Sequence, residues 1–167
     1  AGSKIKNARV ALKNFLNALP DNCYYNILRF GSTFEKMFEH SVPKNKENIE
    51  KSMNFATMLE ANLGGTDAYS PLMSIIEEKQ RKGYLRQVFI LTDGEFNDKT
   101  FVLSACTSNR NIMRVFPFGI GNDVDHAYLK DLAKSTMGEA HFIQKCITND
   151  DISNAVLLTL KSSQVSA

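Results

Sequence analysis

Ile5, Ala8, Leu12, Phe15, Leu16 and Leu19 recur at helical spacing from Ser3 onward, and Pro20 with Asp21 supplies a stop. The chain is therefore expected to open with a helix. Residues 23 to 30 (CYYNILRF) carry enough aromatic and β-branched side chains for a strand, ended by Gly31. Residues 33 to 38 (TFEKMF) predict a short strand folding back on it as an edge hairpin, a position that tolerates the charges of Glu35 and Lys36. Beyond Pro43, Ile49, Met53, Ala56 and Leu59 share one face of a helix between Lys46 and Glu60, whose methionines read as core filler rather than ligands. The loop Leu63-Gly64-Gly65-Thr66-Asp67 leads into a helix over residues 70 to 82 that carries Leu72, Ile75 and Ile76.

Residues 86 to 92 (RQVFILT) depart from amphipathic spacing. A nearly continuous apolar run, closed by Asp93-Gly94, is the pattern of a strand covered on both faces. The rhythm then repeats: helix 99 to 108, strand 113 to 119, helix 124 to 136, strand 140 to 144, and a closing helix 150 to 161. Asn122 or Asp123 is a candidate cap for the first of the last two helices, and Thr148 or Asn149 for the second. Strands alternating with helices predict an α/β fold, with a doubly wound, mostly parallel sheet, helices on both faces and one short antiparallel edge strand. A length of 167 residues suits a single domain over 1–167.

Composition narrows the function. Hydrophobic residues at 43% and charged residues at 23% exclude a disordered chain. A formal charge of +2 is too small to hold nucleic acid by bulk electrostatics. Lys4, Lys6, Arg9 and Lys13 give the first helix a basic surface, read as a solvated face. No apolar run reaches the ~20 residues of a membrane-spanning helix. Cys23, Cys106 and Cys146 form no C-x-x-C pair and read as reduced thiols in or near a core. No N-x-[ST] site occurs, which favours a cytoplasmic setting over a secreted one.

Functional groups of an open parallel sheet collect beyond the carboxyl ends of its strands. Gly64-Gly65-Thr66 lets backbone approach a ligand and offers a hydroxyl, while Thr92-Asp93-Gly94 puts a carboxylate at the end of a buried strand. Hard oxygen donors of this kind suit Mg²⁺. Each motif alone is more often an ordinary turn, and specificity comes from their order within the strand and helix succession.

With these motifs in this order, the chain resembles the von Willebrand factor type A family over essentially all its length. Gly2-Ser3-Lys4-Ile5 is similar to the start of the family's first helix, and Gly64-Gly65-Thr66 resembles the second element of its metal-ion-dependent adhesion site. Phe89-Ile90-Leu91-Thr92-Asp93-Gly94 resembles the third element, and Phe118-Gly119-Ile120-Gly121 the exit of the next strand. The phrasing is closest to the branch of inter-alpha-trypsin inhibitor heavy chains and the vault-associated poly(ADP-ribose) polymerase. The resemblance implies a protein-protein interaction module. In it Thr66 and Asp93 would hold Mg²⁺, or Mn²⁺ or Ca²⁺, with Gly64, Gly65, Asp67 and Gly94 as supporting loop, and a partner's acidic side chain would complete the coordination.

The family's first element, Asp-x-Ser-x-Ser, is absent; Asp151-Ile152-Ser153-Asn154-Ala155 is the nearest approach and lacks the final serine. It is expected upstream of Ala1, together with the family's first, central strand. Residues preceding Ala1 or a strand from another chain would then fill a slot between the strands of residues 23 to 30 and 86 to 92. With two of three ligand loops, any metal in this chain would be absent or weakly held.

Three rival readings carry less weight. Gly119-x-Gly121 lacks the third glycine of a dinucleotide fingerprint, since position 124 is Val124. A Mg²⁺-dependent hydrolase could use Asp93, Glu95 and Asp98, but no nucleophile and base pair accompanies them, and His40, His126 and His141 are scattered. A metal-free structural scaffold in a larger assembly is the main alternative.

Overall fold

The computed structural model describes residues 2–31, 33–59, 67–92, 96–121, 124–143, 150, 153–154 and 156–158. The elements in order are α1 (Gly2–Ala18), β1 (Tyr24–Tyr25), β2 (Leu28–Phe30), β3 (Phe34–Lys36), β4 (Val42–Pro43), α2 (Lys46–Thr57), α3 (Tyr69–Glu77) and β5 (Arg86–Thr92). α4 (Lys99–Ser108), β6 (Met113–Ile120), α5 (His126–Ser135) and β7 (His141–Ile143) follow. Residues 153–154 and 156–158 are also helical.

β5, β6 and β7 form a parallel sheet with β6 in the middle, Arg86 opposite Met113 and Phe118 opposite His141. Side chains of alternate residues reach opposite faces, and both faces are covered. Val88, Ile90, Met113 and Val115 pack with Leu72, Val102, Leu129 and Leu132 of α3, α4 and α5. Phe89, Leu91, Phe118 and Ile120 pack with Ala11 and Phe15 of α1 and with Val156. Phe15 lies 5.2 Å from the Phe89 ring and 5.5 Å from that of Phe118. A fully buried side chain of this size contributes about 1.5–3 kcal/mol by leaving water. The doubly wound α/β architecture expected from the hydrophobic pattern is thus the one observed.

Several local expectations are corrected. The strand over 23 to 30 is two short ones, β1 paired with β4 and β2 paired with β3, both antiparallel. Asn26 causes the break: its Oδ1 accepts from the amides of Ile27 (2.8 Å) and Phe38 (3.1 Å), and its Nδ2 donates to Phe38 O at 2.9 Å. The side chain thus occupies bonds a continuous ladder would have used. β4 was not expected at all. α2 stops at Thr57, where Met58 is the cap, and that methionine is 73% exposed rather than core filler. α3 ends at Glu77, before the expected residue 82, because Glu78 turns extended. α5 is capped by Asp125, whose Oδ1 accepts from Tyr128 N at 3.0 Å, and not by Asn122 or Asp123. Thr148, Asn149 and Cys146 lie outside the described residues.

β2 and β5 do not pair with each other; among the described residues β2 bonds to β3 and β5 to β6. Burial reports the same asymmetry. β6 is buried at every position but Arg114, whereas Phe89, Ile90 and Leu91 of the equally apolar β5 are only partly buried. Arg9, read as part of a solvated basic face, instead donates through Nε to Leu59 O at 2.7 Å and ties α1 to the end of α2. The side chain of Lys4 lies outside the described residues.

Candidate functional site

β2 and β5 deliver their carboxyl ends, Phe30 and Thr92, to one rim of the molecule. Thr92 is buried and sits opposite Gly119 in the ladder. Gly119 must be glycine for packing: a Cβ there would stand 2.8 Å from the Phe142 ring and 2.9 Å from Val124 Cγ1. That close approach accounts for Gly119, while Gly121 adopts φ 110°, a conformation that favours glycine. Phe96 is buried and its ring meets those of Phe30 (6.2 Å) and Tyr128 (5.8 Å), which anchors this residue against β2 and α5.

Hydrogen bonds fix the neighbouring segments. Asp67 N donates to Gly31 O at 2.6 Å, holding the start of α3 against the exit of β2. The Asp67 carboxylate accepts from Ser70 N at 3.1 Å and from Ser70 Oγ at 2.7 Å, bracing the first turn of α3, whose N-cap residue Ala68 has no side-chain cap bond. Asp98 begins α4 but makes no cap bond there; its Oδ2 accepts from Tyr69 N at 3.0 Å instead. Lys99 pairs with Asp125 at 2.9 Å, and Tyr128 Oη donates to Lys99 O at 2.8 Å.

The two aspartates influence each other. Burial first, and then the neighbouring Asp67 carboxylate, raise the Asp98 pKa against the opposing bond from Tyr69 N. Asp67 moves the other way: slight burial works to raise it, but bonds from Ser70, Asp98 and Tyr69 hold it below the ordinary carboxylate range. Asp98 Oδ1 is buried and has no hydrogen-bond partner among the described residues. Among the described residues the rim thus has one carboxylate oxygen without a partner, hard-oxygen chemistry of the kind Mg²⁺ takes.

Of the residues expected to form a metal site, Asp67 is described and stands at this rim. Thr66, Asp93, Gly64, Gly65 and Gly94 lie outside the described residues, as does Glu95. Their immediate chain neighbours converge: Asp67 and Tyr69 follow one loop, Thr92 and Asp98 bracket the other, and the Tyr69–Asp98 bond joins the two. Among the described residues no group of three His, Cys, Asp or Glu could hold a metal ion. The sequence offers Asp98 only as a metal ligand or acid-base group of a hydrolase, and it gives no sign of the Asp98–Tyr69 bond or of the contacts made by Gly31 and Phe96. His126 and His141 are both partly buried, with the His126 ring 4.2 Å from that of Phe142.

The profile of the von Willebrand factor type A domain matches residues 1–142. The chain belongs to that family. A von Willebrand factor A domain-containing protein of Dictyostelium discoideum is 32% identical over 157 residues, 94% of this chain and 16% of that protein. The human von Willebrand factor A domain-containing protein 5A is 34% identical over 160 residues, 96% of this chain and 20% of its own length. This A domain thus spans a fifth or less of those relatives. Among solved structures it is similar to a von Willebrand factor type A protein from Catenulispora acidiphila, with a TM-score of 0.79 and 18% identity, covering 96% of this chain and 38% of that one. It is also similar to proximal thread matrix protein 1 from the mussel byssus with a zinc-occupied MIDAS motif, at TM-score 0.70, 16% identity, and coverage of 92% and 40%. No helix among the described residues is long and apolar enough to cross a membrane.

Proposed function

We propose that this A domain is a protein-protein interaction module, one domain over 1–167, whose Thr66 hydroxyl and Asp93 carboxylate share a divalent cation that a partner's acidic side chain also ligates. The Tyr69–Asp98 bond carries the reading, because it ties the segments flanking Gly64-Gly65-Thr66 and Asp93-Gly94 to one rim. The zinc-occupied motif of the mussel relative adds support. Mg²⁺ is the cation of choice for such oxygen donors, and it would supply the charge that draws the partner's carboxylate. Asp67 and Asp98 act on the protein side by fixing the first turn of α3. Because a few protein ligands hold Mg²⁺ weakly, partner and cation should strengthen each other's binding.

The reading includes an Asp-x-Ser-x-Ser loop and a strand between β2 and β5, supplied by residues preceding Ala1 or by another chain. Half-buried Phe89, Ile90 and Leu91 support such a strand. Cys23 and Cys106 are free thiols, which suits a cytoplasmic setting. The test is calorimetric titration of Mg²⁺ into a chain extended upstream, with Thr66→Ala and Asp93→Ala for comparison. Heat of binding should appear in the parent and vanish in both variants while their melting temperatures hold. Equal binding in all three removes the metal and leaves the scaffold reading.

A further inference from the structure

A second surface lies at the other end of β5. The strand is seven residues long, so at ~3.3 Å per residue this surface stands about 20 Å from the candidate metal site. Tyr24, at the start of β1, meets the Tyr84 ring edge-on, with centroids 5.4 Å apart and planes at 90°. The Arg81 guanidinium carbon sits 3.8 Å from the centroid of the Tyr24 ring. Tyr84 N donates to Arg81 O at 3.1 Å and closes a turn in which Gly83 adopts φ 83°, a conformation that favours glycine. Gln80 Nε2, donating to Ile112 O at 3.3 Å, and Ser41 Oγ, donating to Glu78 Oε2 at 2.9 Å, hold the turn to the body.

Tyr24, Tyr84 and Leu85 are 39%, 44% and 44% exposed. Lys79, Arg81 and Lys82 are exposed beside them, and none takes part in an ion pair among the described residues. Single exposed apolar residues need no explanation. Two tyrosines, a leucine and Arg81 grouped on a pinned turn have the aromatic and arginine makeup of a binding surface, with Lys79 and Lys82 adding positive charge at its rim. Arg81 is already laid against Tyr24, so fixing it on binding costs little side-chain freedom.

We propose that this turn binds an acidic peptide segment of a partner protein. Its carboxylates would meet Lys79, Arg81 and Lys82, and an aromatic or aliphatic side chain would rest on Tyr24, Tyr84 and Leu85. Charge complementarity selects the acidic occupant. One face of Tyr24 is taken by Arg81 and Tyr84 stands edge-on to that ring, a poor platform for successive stacked bases, so a peptide fits better than single-stranded nucleic acid.

The experiment is fluorescence anisotropy with the full-length protein and a fluorescein-labelled peptide alternating glutamate with phenylalanine and leucine, all in EDTA. The chelator makes the outcome independent of the metal site. Saturable binding that weakens with added NaCl is expected. Arg81→Glu combined with Lys82→Glu should lower affinity about tenfold or more, and Tyr84→Ser severalfold. Lys82→Glu alone, at the exposed corner of the turn, serves if the double variant does not fold, and should also weaken binding. Parent-like affinity in the folded charge-reversal variants, no saturable binding, or tighter binding of a labelled oligo-uridylate than of the peptide would overturn the proposal.

Discussion

Removal of the Arg86 guanidinium should destabilise the fold by about 2–3 kcal/mol. Near its end α3 runs out of i+4 amide partners for its carbonyls, and among the described residues Ile75 O has only the cap amide of Glu78, at 3.2 Å, as a backbone partner. Arg86, the first residue of β5, takes them up: Nη1 donates to Ile75 O at 2.8 Å and Nη2 to Glu78 O at 2.8 Å, with longer approaches to Ile76 O (3.5 Å) and Lys79 O (3.3 Å). Its charge also lies at the negative end of the helix dipole. A hydrogen bond involving an ionised group contributes roughly 1.5–3 kcal/mol. Two short bonds would approach twice that, but the site is only part-buried and water can replace some of the loss in Arg86→Ala. For a chain of this size such a loss lowers Tm by about 4–12 °C. Arg86→Lys keeps the charge and loses the fork, so it should recover less than half of the difference. Urea unfolding followed by circular dichroism measures both, read from the midpoint at unchanged slope. A loss under about 0.5 kcal/mol in Arg86→Ala, or full rescue by lysine, would refute the assignment.

The end of α5 yields a pair of opposite effects. Met137 adopts φ 61° and is 65% exposed, while Met137 N donates to Lys134 O and Gly138 N to Ala133 O, the bonding of a Schellman cap without its usual glycine. Met137→Gly should therefore stabilise by about 0.5–1 kcal/mol after the greater freedom of the unfolded glycine is counted, whereas Gly138→Ala should cost about 3 kcal/mol. Its Cβ would stand 2.0 Å from Val115 O; denaturation midpoints moving the same way in both would contradict this. Burial, opposed by Glu139, lowers the His141 pKa, so the folded state resists its protonation. Stability should be complete above about pH 6.5 and fall as pH drops below it, and His141→Gln should flatten that slope in urea titrations at stepped pH. Burial pushes the Cys106 thiol up to about 12, so iodoacetamide should modify it only under unfolding conditions; rapid native labelling found by peptide mass mapping would count against the buried assignment.

The most legible elements were those that the core dictates. β5 occupies the expected residues 86 to 92 because a long apolar run leaves a buried strand few alternatives. Alternating Val88, Ile90 and Phe89, Leu91 already implied two helical layers. What escaped were decisions made by single polar side chains. Nothing in the apolar spacing shows that Asn26 will take over the bonds of a neighbouring strand, or that Arg86 will gather the carbonyls where α3 ends. At the rim, Gly64-Gly65-Thr66 and Asp93-Gly94 could be singled out because they occur in this order within the strand and helix succession, each being an ordinary turn by itself. Asp98 stood out only as a candidate hydrolase ligand, and its bond to Tyr69, which crosses 29 residues of sequence, has no signature in the motifs.

Paramagnetic relaxation addresses the rim most directly. In an isotope-labelled chain extended upstream, trace Mn²⁺ should broaden the amide signals of Thr66, Asp67, Asp93 and Gly94 together, and excess Mg²⁺ should restore them. Broadening confined to one of the two loops, or centred elsewhere, would show that the threonine hydroxyl and the aspartate carboxylate do not share an ion.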